Sequence, residues 1–198
     1  MIPLKKRIND KKTLRDWLSY EKNLYYNKSS FLSQILSLLG ISETAILFKH
    51  QTLLRKAEYY TNTNKKLRYL YTYYKLRRIQ IKYSLNIPLN CCGRGLKIMH
   101  LGPVLINSNV SIGENCAIHV FTSFVAGGTN NNAQSIGDNC VIGVGAVVLG
   151  GIRIANNVAI GASAVVNKDV LEENIAVAGI PAKKISNNGR LSWNKGNT

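Results

Sequence analysis

With 198 residues, 45% of them hydrophobic and 18% charged, the chain has the composition of a globular protein of one domain or two small ones and lies outside the disordered class. No run approaches the ~20 consecutive apolar residues that a membrane span needs. The net charge of +16 is unusual and unevenly spread: residues 1–90 hold 18 Lys and Arg against 5 Asp and Glu, and residues 91–198 hold 8 against 5.

The basic surplus therefore belongs to the first half, and it places a composition boundary near residues 85–95. The first residues, Met1 to Arg7, are basic but lack a following apolar signal core, so a secretion signal is not expected. Residues 11–84 read as helical. Gly40 and Ser42 punctuate between an apolar run, Phe31 to Leu39, and a helix-periodic segment whose Ile46, Leu47, Leu53, Leu54, Ala57 and Tyr60 share a face. His50 lies on that stripe, where a packing role is expected rather than a catalytic one. The next helix, Asn64 to Leu85, is expected to carry Leu67, Leu70, Tyr71, Tyr74 and Ile81 inward, ringed by Lys65, Lys66, Arg68, Lys75, Arg77, Arg78 and Lys82. Such interleaving fits a solvated face beside an oligomer interface, an anionic membrane surface or an acidic polysaccharide. Nucleic acid is disfavoured, because no recognised nucleic-acid module accompanies the charge.

From Ile106 onward an aliphatic or aromatic residue recurs every six positions: Ile106, Ile112, Ile118 and Phe124, then Ile136, Ile142, Val148, Ile154, Ile160 and Val166. A period of six suits neither a helix nor an alternating strand. It suits a triangular solenoid in which each hexapeptide gives one short strand and one corner. The leading residue points inward and the residue four later fills the corner, with Cys116 and Cys140 as small apolar fillers. Asn109, Asn115, Asn139, Asn156 and Asn157 fall at corners, where positive φ is needed. Between Phe124 and Ile136 the pattern breaks into Val125-Ala-Gly-Gly-Thr-Asn-Asn-Asn-Ala-Gln-Ser135, read as a loop thrown out from one face. A merely irregular coil is the alternative. Cys91, Cys92, Cys116 and Cys140 have neither metal-site spacing nor disulfide-scaffold density, which suggests reduced thiols in a cytoplasmic protein.

The stretch from Gly93 to Ile185 resembles the serine acetyltransferase branch of the hexapeptide-repeat acyltransferases, and more closely their relatives that acetylate capsule, exopolysaccharide or O-antigen sugars. Gly93-Arg-Gly-Leu-Lys-Ile-Met-His100, Gly127-Gly-Thr, Ile142-Gly-Val-Gly-Ala, Ile160-Gly-Ala-Ser-Ala and Ala178-Gly-Ile-Pro-Ala-Lys-Lys-Ile185 carry the resemblance. It implies a left-handed parallel β-helix, against the ~98% right-handed rule for parallel crossovers, assembled as a trimer or a dimer of trimers. The expected architecture is mainly β: an α-helical basic domain over 1–90, the β-helix over 91–187 and a tail over 188–198.

The activity implied is transfer of an acetyl group from acetyl-CoA to a hydroxyl, with no metal. A three-histidine metalloenzyme on such a helix is disfavoured because the coils hold only His100 and His119. By the motif His100 is the general base, although the hexad phase would aim it inward unless Gly102 and Pro103 break that phase. His119, one position after the inward Ile118, should point outward and is the second candidate. The resemblance assigns the donor to Gly127, Gly128, Gly143, Gly145, Ala146, Gly161 and Ala162, which allow close approach, and to Pro181, Lys168, Lys183 and Lys184, the lysines meeting phosphates. Corner geometry alone would also explain the glycines.

Serine acetyltransferases carry an aspartate before the catalytic histidine, where this chain has Met99, and an Arg-His pair in the protruding loop, which here has no charge. The acidic partner of their histidine aligns with Leu85, so Asn86 or Asn90 would have to stand in for it. Asn130, Asn131, Asn132 and Gln134 offer paired donors and acceptors suited to sugar hydroxyls. The sequence therefore favours a sugar acceptor in a surface polysaccharide or its precursor over serine. A non-catalytic scaffold is the reading from another class. The protein is expected in the cytoplasm, with peripheral contact at the inner membrane face as one use of the basic helices.

Overall fold

The computed structural model describes residues 7–26, 42–127 and 132–190. They fall in two compact units, Lys6–Leu85 and Asn86–Thr198, and each is described by itself.

The first unit is helical: α1 (Lys11–Tyr26), α2 (Glu43–Asn62) and α3 (Lys66–Tyr83). Helix α1 starts where Asp10 accepts from the Thr13 amide at 2.8 Å and from its hydroxyl at 2.7 Å. Helix α2 starts where Ser42 accepts from Ala45 N, with Glu43 favourably placed in the first turn. A small core gathers Ile8, Trp17 and Tyr59, with Leu14 and Tyr60 packed against it. Beside it lies a buried ionic cluster. Arg55 donates to Glu21 at 2.8 Å and to Glu58 at 2.9 Å, all three side chains being at most 2% exposed, and its guanidinium lies 4.8 Å from the Trp17 ring centroid. Burial alone would lower the Arg55 pKa, but the two carboxylates outweigh it and hold the guanidinium charged. His50 and Gln51 are fully buried on α2. Burial, helped by the Arg55 charge, lowers the His50 pKa to about 4, so the ring is neutral.

Helix α3 corrects the sequence expectation. Leu67, Leu70, Tyr71, Tyr74 and Ile81 are exposed rather than inward. The side of α3 that is covered is the narrow stripe Thr72, Leu76 and Gln80, at i, i+4 and i+8. Periodicity identifies an apolar face without saying what faces it, and here the covered stripe lies opposite the apolar one.

The second unit is the solenoid. Its parallel strands fall on three faces, each pairing with the strand one coil away. A five-stranded face takes the order β1 (Leu85–Asn86), β3 (Val104–Ile106), β6 (Thr122–Val125), β9 (Val147–Leu149) and β12 (Val165–Val166); a three-stranded face takes β4 (Ser111–Ile112), β7 (Ser135–Ile136) and β10 (Arg153–Ile154); a six-stranded face takes β2 (Lys97–Ile98), β5 (Ala117–Ile118), β8 (Val141–Ile142), β11 (Ala159–Ile160), β13 (Ala176–Ala178) and β14 (Lys183–Ser186). The strands that position the site are β2 (Lys97–Ile98), β5 (Ala117–Ile118), β8 (Val141–Ile142), β11 (Ala159–Ile160) and β13 (Ala176–Ala178) on the six-stranded face. On the five-stranded face they are β3 (Val104–Ile106), β6 (Thr122–Val125) and β9 (Val147–Leu149). The hexad residues Ile106, Ile112, Ile118, Phe124, Ile136, Ile142, Val148, Ile154, Ile160 and Val166 are all at most 2% exposed and fill the prism. Cys116 and Cys140 are buried corner fillers, their thiols directed at the Gly137 and Ala155 carbonyls. A hydrogen bond with Cys140, together with burial, pushes the Cys116 thiol well above its ordinary pKa.

The corner between the three- and six-stranded faces is a column of left-handed residues: Asn115, Asn139, Asn157 and Asn174, with φ of 56 to 60°. Asparagine tolerates this conformation better than other residues with a Cβ. The segment expected as tail begins by folding back along this corner. Gly189 N donates to Asn174 O and Arg190 N to Asn157 O, while the Arg190 guanidinium reaches Asn115 O. The last strand, β14 (Lys183–Ser186), turns antiparallel to β13 and ends the six-stranded face.

Candidate active site

Two registers explain the histidines. Ile98 pairs with Ile118 and Ile106 with Phe124, so eight residues separate the inward positions of the first coil where six separate those of the next. The two extra residues lie in the corner Met99–Pro103 and swing His100 out to an exposed position. The phase conflict is thereby resolved in favour of an outward His100. His119 follows Ile118 at the same corner of the second coil, half-buried. Its carbonyl accepts from the fully buried Thr122 hydroxyl at 2.9 Å, which fixes the turn. The two imidazole centroids are 6.4 Å apart. Burial and then the neighbouring charge of His100 lower the His119 pKa, which favours the proton-accepting form.

Below the pair the same corner becomes small. The register Ile118, Ile142, Ile160, Val177 is followed in each coil by His119, Gly143, Gly161 and Ala178. A Cβ on Gly143 would lie 2.7 Å from Ala162 N, so that glycine is required by the stacking of coils. Gly145 and Gly179 differ: they have φ of +70 and +97°, and a Cβ there would meet nothing nearer than 3.4 and 3.6 Å. They leave an open path along the outside of the corner, beside exposed Ala162. Pro181 and Lys183 are exposed as well. Lys184 is ion-paired with Glu172. Ala146 is fully buried and offers only its backbone.

Gly127, Asn132, Gln134 and Lys168 sit at another corner. Phe124 pairs with Val148 and Ile136 with Ile112, so Gly127, Asn132 and Gln134 lie at the corner between the five- and three-stranded faces. Lys168 occupies that same corner one face away from the histidines. Gly128, Asn130 and Asn131 lie outside the described residues. Gly127 packs against Gly150, where a Cβ would come within 2.9 Å, and Asn132 is exposed beside Gly151. Gln134 is 3% exposed. Its amide donates to the Val125 and Val148 carbonyls at 2.7 and 3.1 Å, so its side chain does not reach outward to an acceptor. One chain thus brings His100 and His119 together with the small-residue path, but not with Gly127, Gln134 and Lys168. Of the two stand-ins suggested for the acidic partner, Asn86 lines a groove of about 310 Å³ with Pro88, Leu105, Asn107 and Val125.

Sequence reading missed Phe121. It occupies the slot filled by Gly145 and Ser163 in later coils, in the left-handed conformation with φ of 61°, and its ring is 61% exposed. Its amide donates to Pro103 O, tying it to the corner that carries His100. The signal was present: an aromatic residue in a slot where small residues recur.

No family model matches the chain. It is 31% identical over 137 residues to the serine acetyltransferase of Buchnera aphidicola from Schizaphis graminum, a match over 65% of this chain and 51% of that protein. The chain thus spans about half the length of that curated relative. Among solved structures, the serine acetyltransferase of Brucella abortus matches 91% of this chain and 72% of its own with a TM-score of 0.69 and 22% identity; it has also been solved with coenzyme A. The Neisseria gonorrhoeae serine acetyltransferase in complex with serine matches 89% of this chain and 70% of its own, with a TM-score of 0.64 and 25% identity. The chain therefore shares the fold of these serine acetyltransferase structures, a left-handed parallel β-helix preceded by helices.

Proposed function

We propose that the protein transfers an acetyl group from acetyl-CoA to a hydroxyl of its acceptor. The observation that carries this is the histidine pair at the head of an open, small-residue path on one corner of the β-helix. In the reaction a neutral imidazole takes the acceptor hydroxyl's proton as its oxygen attacks the thioester carbonyl. A new ester C–O bond forms, the C–S bond breaks, and the imidazolium returns the proton to the departing thiolate of CoA. His100 is the base, following the motif, and His119 supports or orients it. Gly143, Gly145, Gly161 and Ala162 line the donor path, and Lys183 meets a phosphate at its end.

Of the two acceptors weighed from the sequence, the comparisons favour the alternative, serine, over the sugar. The sugar reading keeps one specific support: the residue before the base is Met99, and Leu85, where an acidic partner is expected, is fully buried and apolar. A zwitterionic amino acid needs charge at both ends. Because Gly127, Gln134 and Lys168 stand at a different corner from the histidines, we propose a homotrimer in which a neighbouring copy brings that corner to the pair. Purified protein incubated with labelled acetyl-CoA and, separately, L-serine or hydroxyl-bearing sugars tests both steps. Acetyl ester on serine supports the comparison-based acceptor, and ester on sugar alone supports the other. No CoA release with either, and no calorimetric heat with CoA, would remove the acetyltransferase reading.

A further inference from the structure

Helix α3 is turned inside out relative to an ordinary surface helix. At about 100° per residue, Leu67, Leu70, Tyr71, Tyr74 and Ile81 fall within a sector roughly 100° wide, and they are 60 to 84% exposed. The stripe opposite them, Thr72, Leu76 and Gln80, is the buried one. Lys66 and Arg77 flank one side of the apolar sector, Arg68, Lys75 and Lys82 the other, and Arg78 lies within it. The helix contains no acidic residue. Among the described residues none of these six cations is ion-paired with a carboxylate, and the Lys75 ammonium rests over the Tyr71 ring at 4.1 Å.

We propose that this face of α3 docks on an anionic lipid surface, lying in the plane of the headgroups with Leu67, Leu70 and Ile81 dipped towards the acyl chains. The tyrosines sit at headgroup level and the flanking Lys and Arg reach lipid phosphates. Charge selects this occupant over the others. A second copy of the chain would set six cations against six, with Arg78 inside the dry seam. Residues 27–41 are apolar enough to cover the stripe but contain one Lys and no acid, so they offer the cations nothing. An acidic polymer would satisfy the cations and leave five large exposed apolar side chains without a use. An anionic bilayer answers both halves of the surface, and Arg78 within the stripe suits a layer rich in phosphate.

Flotation of the full chain with vesicles tests this, comparing phosphatidylcholine alone with an equal mixture of phosphatidylcholine and phosphatidylglycerol, at low and high salt. The expected result is at least tenfold tighter partitioning onto the anionic vesicles, weakened severalfold by 0.5 M salt. Two exposed-surface variants separate the parts. Leu67→Ser/Leu70→Ser/Ile81→Ser and Arg68→Gln/Arg78→Gln/Lys82→Gln should each lose most vesicle binding while keeping the wild-type circular dichroism and oligomeric mass. A Leu70→Trp reporter should shift its emission to the blue on anionic vesicles. Absent vesicle binding, unchanged binding by the serine triple variant, or a change of oligomeric mass in that variant would each overturn the proposal, the last in favour of an interface between copies. So would binding to an acidic polysaccharide with none to vesicles.

Discussion

At the residue scale the two histidines carry distinguishable expectations. His100→Ala should lower kcat by ~10²–10⁴-fold with CoA affinity nearly unchanged, because the imidazole acts on the acceptor hydroxyl. His119→Ala should cost less in kcat and chiefly raise the acceptor KM. Wild-type rates from the first beside a dead second would move the base to His119. The lowered His119 pKa gives an independent readout. Since the His100 charge contributes to that lowering, His100→Ala should raise the His119 pKa towards its ordinary value in an NMR titration; no movement would mean the rings do not sense each other. Phe121 makes a second expectation at this scale. A non-glycine side chain in the left-handed region costs about 1–3 kcal/mol, so Phe121→Gly should leave stability unchanged or raised. If the exposed ring contacts substrate, the same variant should raise a KM, and equal loss of stability and activity would argue that the ring serves packing alone.

At the element scale, the ionic and imidazole groups buried between the helices set how that unit responds to acid. The His50 pKa is about 4 in the folded chain and near 6.5 when unfolded. The unfolded state therefore binds the proton more readily, and the stabilisation present above pH ~6.5 is lost as pH falls towards 4. The loss amounts to roughly 3 kcal/mol at the low end. Urea denaturation of the wild type and of His50→Leu across this window checks it: the variant's curve should be flatter. Arg55→Ala should cost about 3–5 kcal/mol, because it removes the guanidinium with which the buried carboxylates of Glu21 and Glu58 pair.

The same scale shows what the sequence could and could not tell. The hexads from Ile106 to Val166 were legible because every inward position in a stacked coil demands an aliphatic or aromatic side chain, so the period is written directly in the residues. His100 was ambiguous because a two-residue insertion shifts phase without leaving a residue type that announces it. Gln134 looked like a loop residue, yet it faces inward because the returning chain needs an amide to satisfy two carbonyls. The face of α3 was misjudged since an apolar stripe reads the same whether it is covered or open.

At the scale of the whole molecule, the small-residue corner and the corner of Gly127, Gln134 and Lys168 are separate in one chain, and light scattering should find trimers or a multiple of them at the concentrations where activity is seen. A fully active monomer would contradict the assembly. All four cysteines are buried, so a thiol reagent should titrate none of them in the native protein and four once urea unfolds it. Prompt reaction of one thiol would mean that its coil opens far more often than its packing implies.

The returning strand end has a further effect. A pile of nearly identical layers, each touching only its neighbours, should come apart like a frayed rope, one layer at a time from the free end. Here Gly189 and Arg190 run lengthwise across Asn174, Asn157 and Asn115, stitching the fifth layer to the second. A Cβ on Gly189 would fall 1.9 Å from Asn157 O, so the stitch lies against the corner backbone with no room to spare. Cutting the chain after Ser186 should then leave a protein whose layers melt successively, with hydrogen exchange graded from β13 back towards β2. In the uncut chain those amides should exchange together, as one unit.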